Sequence, residues 1–366
     1  MIESTHKSIR WPQFRSFLIL YVSILIGWIA YYNFQPVLLE KYGLASFTGL
    51  LFIIQGIILV LVPPLAGYLS DRYREKVGTR FPVIMTGILF AGMVFMAVSL
   101  SLAINPGFIV WLLPILIIFW IIAMSIFTSP AISTMELFTS AGKLPRAMSI
   151  LVVVSGLIYA LEPTIVDIID ILGAPLTFLA GGVLVLLSGY WMATSFDEIF
   201  RAGKEVDIEH EQRAQSPWKS FLLGAGLGVF MTILFNFLPD HFDAYQLVLG
   251  SYEVAGNQLA SFILFVSALA SLPLGILISR LGLPKAYTIG LPLAFVTLLG
   301  LIFSGNVYLI ALSSVLFGIS YSWLSVCSLP YAMQFANMKN RVLGVGIFFA
   351  GMEFPNSIFE AWLANI

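Results

Sequence analysis

Glu353 and Glu162 are the residues in this sequence that packing explains least. Each carboxyl interrupts an apolar run and has a proline close behind it, in Gly351-Met-Glu353-Phe-Pro355 and Leu161-Glu162-Pro163. An ionisable group in such a run is expensive in hydrocarbon and faces a cavity or a partner. The proline loosens the backbone and lets water approach. A carboxyl at such a place can take up and release a proton, so both are candidate proton carriers. The plainer alternative for each is a protonated, hydrogen-bonded structural carboxyl. Asp167 and Asp170 lie near a helix end, where solvation accounts for them.

A third acid raises a different question. Asp71 closes the apolar run 46–70 and is followed by Arg72, Arg74, Lys76 and Arg80 before the next run begins at Pro82. A carboxylate at a helix C-terminus is electrostatically misplaced unless a cation or the N-terminus of another helix compensates it. Gly67, one turn earlier, allows a neighbouring helix to approach closely. If the compensating contact forms in only one conformation, the stretch Gly67, Asp71, Arg72, Gly78 and Arg80 is a conformational latch. The alternative is a loop whose cations only set topology.

These residues must be positioned by membrane helices. The chain has 366 residues, of which 59% are hydrophobic and 10% charged, and its mean hydropathy is +0.97, values that describe an integral membrane protein. Eleven segments are long and apolar enough to span a bilayer: 16–38, 46–70, 82–103, 108–138, 147–169, 173–195, 218–239, 256–279, 285–304, 307–334 and 342–364. With the N-terminus in the cytoplasm, every cation in the loops and in the N-terminal segment except Lys41 falls inside, while Glu40, Asp170, Asp240, Asp243 and Glu253 fall outside. That places the protein as a multi-pass component of the cell inner (plasma) membrane.

The polar stretch 196–217 divides a six-helix N-terminal bundle, 1–195, from a C-terminal bundle of five helices, 218–366. Two echoes relate the halves. Gly67-x-x-x-Asp71-Arg72 returns as Gly275-x-x-x-Ser279-Arg280, and Arg146-x9-Gly156 returns as Arg341-x9-Gly351. The second copy lacks the acid, which predicts an asymmetric latch. In this register a twelfth helix is missing, and a partner could cover the surface it leaves.

Gly67-Tyr-Leu-Ser-Asp71-Arg72 followed by Gly78-Thr-Arg80-Phe-Pro82 resembles the loop signature between the second and third helices of the major facilitator superfamily. The form is similar to that of proton-coupled sucrose and disaccharide (glycoside-pentoside-hexuronide-like) symporters. Gly318-Ile-Ser-Tyr321 with Leu329-Pro330-Tyr331-Ala, Ser129-Pro130 and Gly344-Val-Gly346 extend the likeness to both halves. The resemblance implies an all-α major facilitator fold of two pseudo-symmetric bundles, with helices one, four, seven and ten lining a cavity. It thereby nominates Trp28, Tyr32, Gln35, Asn236, Tyr321, Trp323 and Tyr331 as substrate contacts. Trp28, Tyr32 and Gln35 share one helical face by their i, i+4, i+7 spacing. Trp28 and Trp323 either stack on a sugar ring or pack. Trp11, Trp111 and Trp362 sit where interfacial anchors belong. The family's helix-four arginine position is Ile132 here, and Glu136 stands one residue from its acidic position, which makes Glu136 a third proton-coupling candidate.

Catalytic and cofactor motifs are absent from the sequence. The single cysteine, Cys327, excludes an intrachain disulfide, and three scattered histidines suggest no metal cluster. The cytoplasmic cations read as topology determinants and give no case for nucleic acid. The sequence therefore reads as a secondary active transporter, with no enzymatic activity, that moves a small polar solute, foremost a sugar, with protons by alternating access. An exporter of amphipathic compounds and a transport-inactive membrane receptor or scaffold are the alternatives.

Overall fold

The structure, a computed structural model, describes residues 9–104, 107, 109–201, 216–245, 248–249 and 252–363. Most of the polar segment 196–217, taken from sequence as the inter-bundle linker, lies outside them. Eleven candidate membrane spans occur among the described residues, matching the expected number. They are α1 Trp11–Lys41, α2 Thr48–Val77, α3 Phe81–Ile104, α4 Ile109–Ser133, α5 Leu144–Ala160 and α6 Glu162–Arg201. After the polar segment come α7 Pro217–Thr232, α8 Gly256–Leu281, α9 Leu283–Ile302, α10 Val307–Met333 and α11 Arg341–Leu363. A one-turn helix, Met135–Phe138, follows α4. The only strands among the described residues are Val248–Leu249 and Tyr252–Glu253, paired antiparallel in a short hairpin.

Local sequence sets these boundaries. Proline occupies the first turn of α1, α5, α7 and α9, where its missing N–H costs nothing. Gly78, at φ 86°, ends α2 in the left-handed conformation and donates its N–H to the Arg74 carbonyl at 2.8 Å. The sequence places a break between 169 and 173, and the backbone leaves helical geometry there, at Gly173. The α5 axis breaks at Leu161, α6 resumes at Glu162, and the chain turns at Gly173, whose φ of 74° and ψ of 161° suit glycine alone. Thr177 Oγ1 bonds the Ile169 carbonyl across this bend at 3.2 Å.

Packing among the first six spans centres on aromatic rings. Trp120 of α4 stacks on Tyr31 of α1 with centroids 4.5 Å apart and takes Trp28 and Phe95 edge-on at 4.9 and 5.5 Å. Two seams join α1–α6 to α7–α11: α2 lies along α11, and α5 lies along α8. Small residues permit both. A Cβ on Gly67 would sit 2.5 Å from the Val342 carbonyl oxygen, and one on Gly275 would sit 2.6 Å from Ser149 Oγ. The backbones are therefore in direct contact. Ser271 Oγ also donates to the Ser149 carbonyl at 3.0 Å.

No atom lies within 4 Å of a Cβ built on Gly173, so substitution there tests backbone strain alone. Gly173→Ala is expected to destabilise the protein by about 1–3 kcal/mol, read as a lower thermal midpoint in detergent. Gly142→Ala, equally open, should leave the midpoint unchanged.

Candidate functional site

The N-terminus of α11 meets Asp71 at one end of the α2–α11 seam. Asp71 is 2% exposed, and its carboxylate accepts hydrogen bonds from the Val342 and Leu343 backbone N–H groups at 3.3 and 2.9 Å. These N–H groups have no partner within α11, so the acid meets unsatisfied donors at the positive end of a helix. Arg341, which opens α11, pairs with Glu136 of the one-turn helix after α4. Arg80, 3% exposed, donates to Ser133 Oγ at 2.7 Å and so ties the start of α3 to the end of α4 beside Asp71. Gly67, Asp71, Gly78 and Arg80 thus form one construction with two residues the sequence did not put there, Glu136 and Arg341. The echo in the second half makes no equivalent bond: Ser279 Oγ donates to the Gly275 carbonyl of its own helix at 2.7 Å.

Midway along the helices, Glu353 of α11 lies within electrostatic range of Tyr32 of α1, of Tyr159 of α5 and of Glu360 one helical face along. Tyr159 in turn neighbours Tyr21, Tyr321 and Glu162. Tyr32 is 40% exposed although this cluster surrounds it, so its ring borders open space inside the bundle. Among the described residues the Glu353 carboxyl has no hydrogen-bond partner. Its backbone carbonyl takes Ser357 Oγ at 2.9 Å, just where Pro355 interrupts the helix. The electrostatic partners of Tyr32 and Glu353 are acids and phenols.

Beyond this cluster a chain of hydrogen bonds crosses the same seam. Tyr31 Oη donates to Gln55 Oε1 at 2.6 Å, and Gln55 Nε2 donates to Glu360 Oε2 at 3.1 Å. Asn356 Nδ2 donates to Glu360 Oε1 at 3.0 Å, and Asn236 Nδ2 donates to Asn356 Oδ1 at 2.9 Å. Asn236 belongs to a π-helical stretch, Ile233–Phe237, that continues α7. The wider turn leaves the Thr232 carbonyl to Asn236 Nδ2 at 3.2 Å.

Several sequence assignments need correction. Arg72 is exposed, pairs with Glu75 at 3.1 Å and lies over Tyr68, so it faces away from the Asp71 contact. Glu136 is held by Arg341 and is not a free acid near the centre. Trp323 turns its ring onto Gly290 of α9 and donates Nε1 to the Ala286 carbonyl at 2.8 Å, which removes it from the cluster. Tyr331 packs against Tyr287 and Phe335. Gln35 is 2% exposed in a small cavity with Tyr31, Trp120 and Phe178, inside the first six spans. Trp28 stacks beneath Tyr32 with centroids 5.8 Å apart. Tyr32, Tyr321, Glu162 and Glu353 do come together, and Asn236 joins through Asn356. The sequence reading passed over Tyr21, Gln55, Tyr159, Asn356 and Glu360. One signal was available: Glu353, Asn356 and Glu360 repeat at i, i+3 and i+7 on one face of an apolar helix.

Solved structures share this fold. The human organic anion transporter MFSD10 (TETRAN) superposes with a TM-score of 0.71 at 13% identity, covering 97% of this chain and 94% of that one. A bacterial homologue of the iron transporter ferroportin, in its outward-facing state with soaked iron, gives 0.70 at 16% identity, covering 95% and 90%. The same homologue without the soak gives 0.69 at 16% identity, covering 96% and 91%. At these identities the likeness is one of fold. No curated protein matches. The family profile described as Major Facilitator Superfamily matches residues 17–353, and the chain belongs to that superfamily.

Proposed function

We propose that the protein is a secondary active transporter that moves a small polar solute by alternating access, driven by protons. The observation that carries this reading is the unbonded Glu353 carboxyl among tyrosines of α1, α5 and α10, between two seams of close-packed helices. A group at this depth can change sides when helices rock about it. Phenol hydroxyls offer both donors and acceptors, and their rings offer flat apolar faces. That combination suits a polyhydroxylated solute such as a sugar. The MFSD10 neighbour is an organic anion transporter, but acids and phenols give an anion little to bind, so that cargo is not carried over. We place the Asp71 end and the N-terminus in the cytoplasm of a cell whose inner (plasma) membrane holds the protein. The two bundles divide at the polar segment. In this reading the Asp71 contact with α11 closes the cytoplasmic side.

Uptake into proteoliposomes, with and without an imposed proton gradient, tests the proposal directly. Accumulation that ignores the gradient would favour another coupling, and no uptake of any small solute would favour a receptor. Asp71→Asn keeps the shape and removes the charge that the α11 N-terminus favours. It is expected to insert normally and to increase cytoplasmic-side cysteine labelling severalfold, whereas unchanged labelling would leave Asp71 a topology residue. Glu353→Gln should abolish uphill, proton-driven accumulation and preserve exchange of solute across the membrane. Normal accumulation by this variant would refute the assignment.

A further inference from the structure

We infer that Glu360 is a proton-binding site and that its ionised form, bridged by Gln55, locks the end of the α2–α11 seam opposite Asp71. The inference builds on the transport reading and adds a residue, a gate and a coupling ion to it. Every hydrogen bond to the Glu360 carboxylate comes from a donor: Gln55 Nε2 at 3.1 Å from across the seam and Asn356 Nδ2 at 3.0 Å from its own helix. Each amide is also held on its other side. Gln55 Oε1 is occupied by the Tyr31 hydroxyl at 2.6 Å, and Asn356 Oδ1 is occupied by Asn236 Nδ2 at 2.9 Å. Gln55 itself is fully buried.

Such a cradle is matched to an acceptor-only carboxylate, with bonds strengthened by its charge. Protonation removes the charge that strengthens both bonds, and the bridge between α2 and α11 weakens. A metal ion would meet amide N–H groups, not oxygen ligands, at these two positions. The titratable groups near Glu360 are Tyr31 and Tyr32 of α1 and Glu353 of α11, while α2 and α7 contribute the neutral Gln55 and Asn236.

The spacing adds a sequence of events. From Arg341, at 1.5 Å per residue, Glu353 lies about 18 Å and Glu360 about 28 Å along the axis, within a core about 30 Å thick. Glu360 thus stands near the membrane edge, with Glu353 two turns behind it. A proton arriving at Glu360 releases Gln55 and opens the path to Glu353. Ser357 marks this opening, because its hydroxyl lies 3.5 Å from the Gly56 carbonyl across the seam.

The test is maleimide labelling of Ser357→Cys in a Cys327→Ser background, from mildly acid to mildly alkaline pH, with each rate normalised to the denatured protein at the same pH. Labelling is expected to be slow at alkaline pH and severalfold faster in acid, with sodium or choline as the bulk cation. Glu360→Gln should label fast at every pH, and Glu353→Gln should keep the pH step. Tyr31→Phe, which removes the bond that steadies Gln55 against the carboxylate, should move the step to higher pH, and it serves if Glu360→Gln does not fold. A pH step retained in Glu360→Gln, a Tyr31→Phe midpoint equal to that of the parent, or a step that follows sodium would overturn the inference. Because labelling needs no cargo, an intact step in a protein that transports nothing would uphold the proton-read closure and reject the transport reading.

Discussion

Asp71 is a carboxylate buried within α2, and donors for it must come from elsewhere in the fold. The sequence places Asp71 at the C-terminus of its helix, but α2 continues to Val77. Asp71 finds its donors in the first N–H groups of α11, which also lack partners within their helix. Two local deficits cancel in one contact between elements that are 271 residues apart in sequence. The approach requires Gly67, since any side chain would meet the α11 backbone. Arg341 adds a second tie to Glu136 at the same helix start. Gly78, Arg80 and Ser133 fix the positions of α2, α3 and α4 around this point.

The two seams differ in kind. Carboxylates bridge α2 and α11 at one end through Asp71 and at the other through Glu360, while Arg341 ties α11 to the one-turn helix after α4. The α5–α8 seam is joined by Gly275 resting on Ser149 and by a neutral hydroxyl bond from Ser271. A neutral, close-packed contact varies little with charge state, whereas bonds to carboxylates are roughly twice as strong as neutral ones and weaken when the charge is lost. Such a pair suits one seam that answers to protons and one that keeps the helices in register. The substitution of Ser279 for the acid in the second copy of the motif underlies this division.

Much of the architecture was legible in the sequence because bilayer thickness and charge placement leave few choices. The eleven spans, a compensating helix N-terminus for Asp71 and the asymmetry between Asp71 and Ser279 follow from run lengths, charge and one lost acid. The tryptophans were harder to read. Trp28 and Trp323 look alike in sequence, each deep in a helix beside polar residues, but Gly290 on a neighbouring helix makes the slot that turns Trp323 away. Gln35 sits on the same helical face as Tyr32 by periodicity, yet one is buried among Trp120 and Phe178 and the other borders open space. Helical phase relates residues on one helix but does not say which neighbour covers each turn. Glu136 and Arg341 could not be paired from sequence, since nothing local joins residues 205 positions apart.

The chemistry of the middle constrains how coupling could arise at all. An ionised carboxyl tolerates open space that water can enter, and it is costly once helices close over it. Glu353 has no cation or amide donor to replace that water. The closed central site is therefore accessible to the protein mainly when Glu353 carries a proton or when a bound solute supplies the missing donors. A neutral solute with hydroxyl groups, together with a proton, leaves no net charge to bury. Either one alone leaves an unsatisfied group or an unfilled space among Tyr32, Tyr159 and Tyr321. On the transport reading proposed above, desolvation would penalise passage of the half-loaded site, which links proton and solute without direct contact between them.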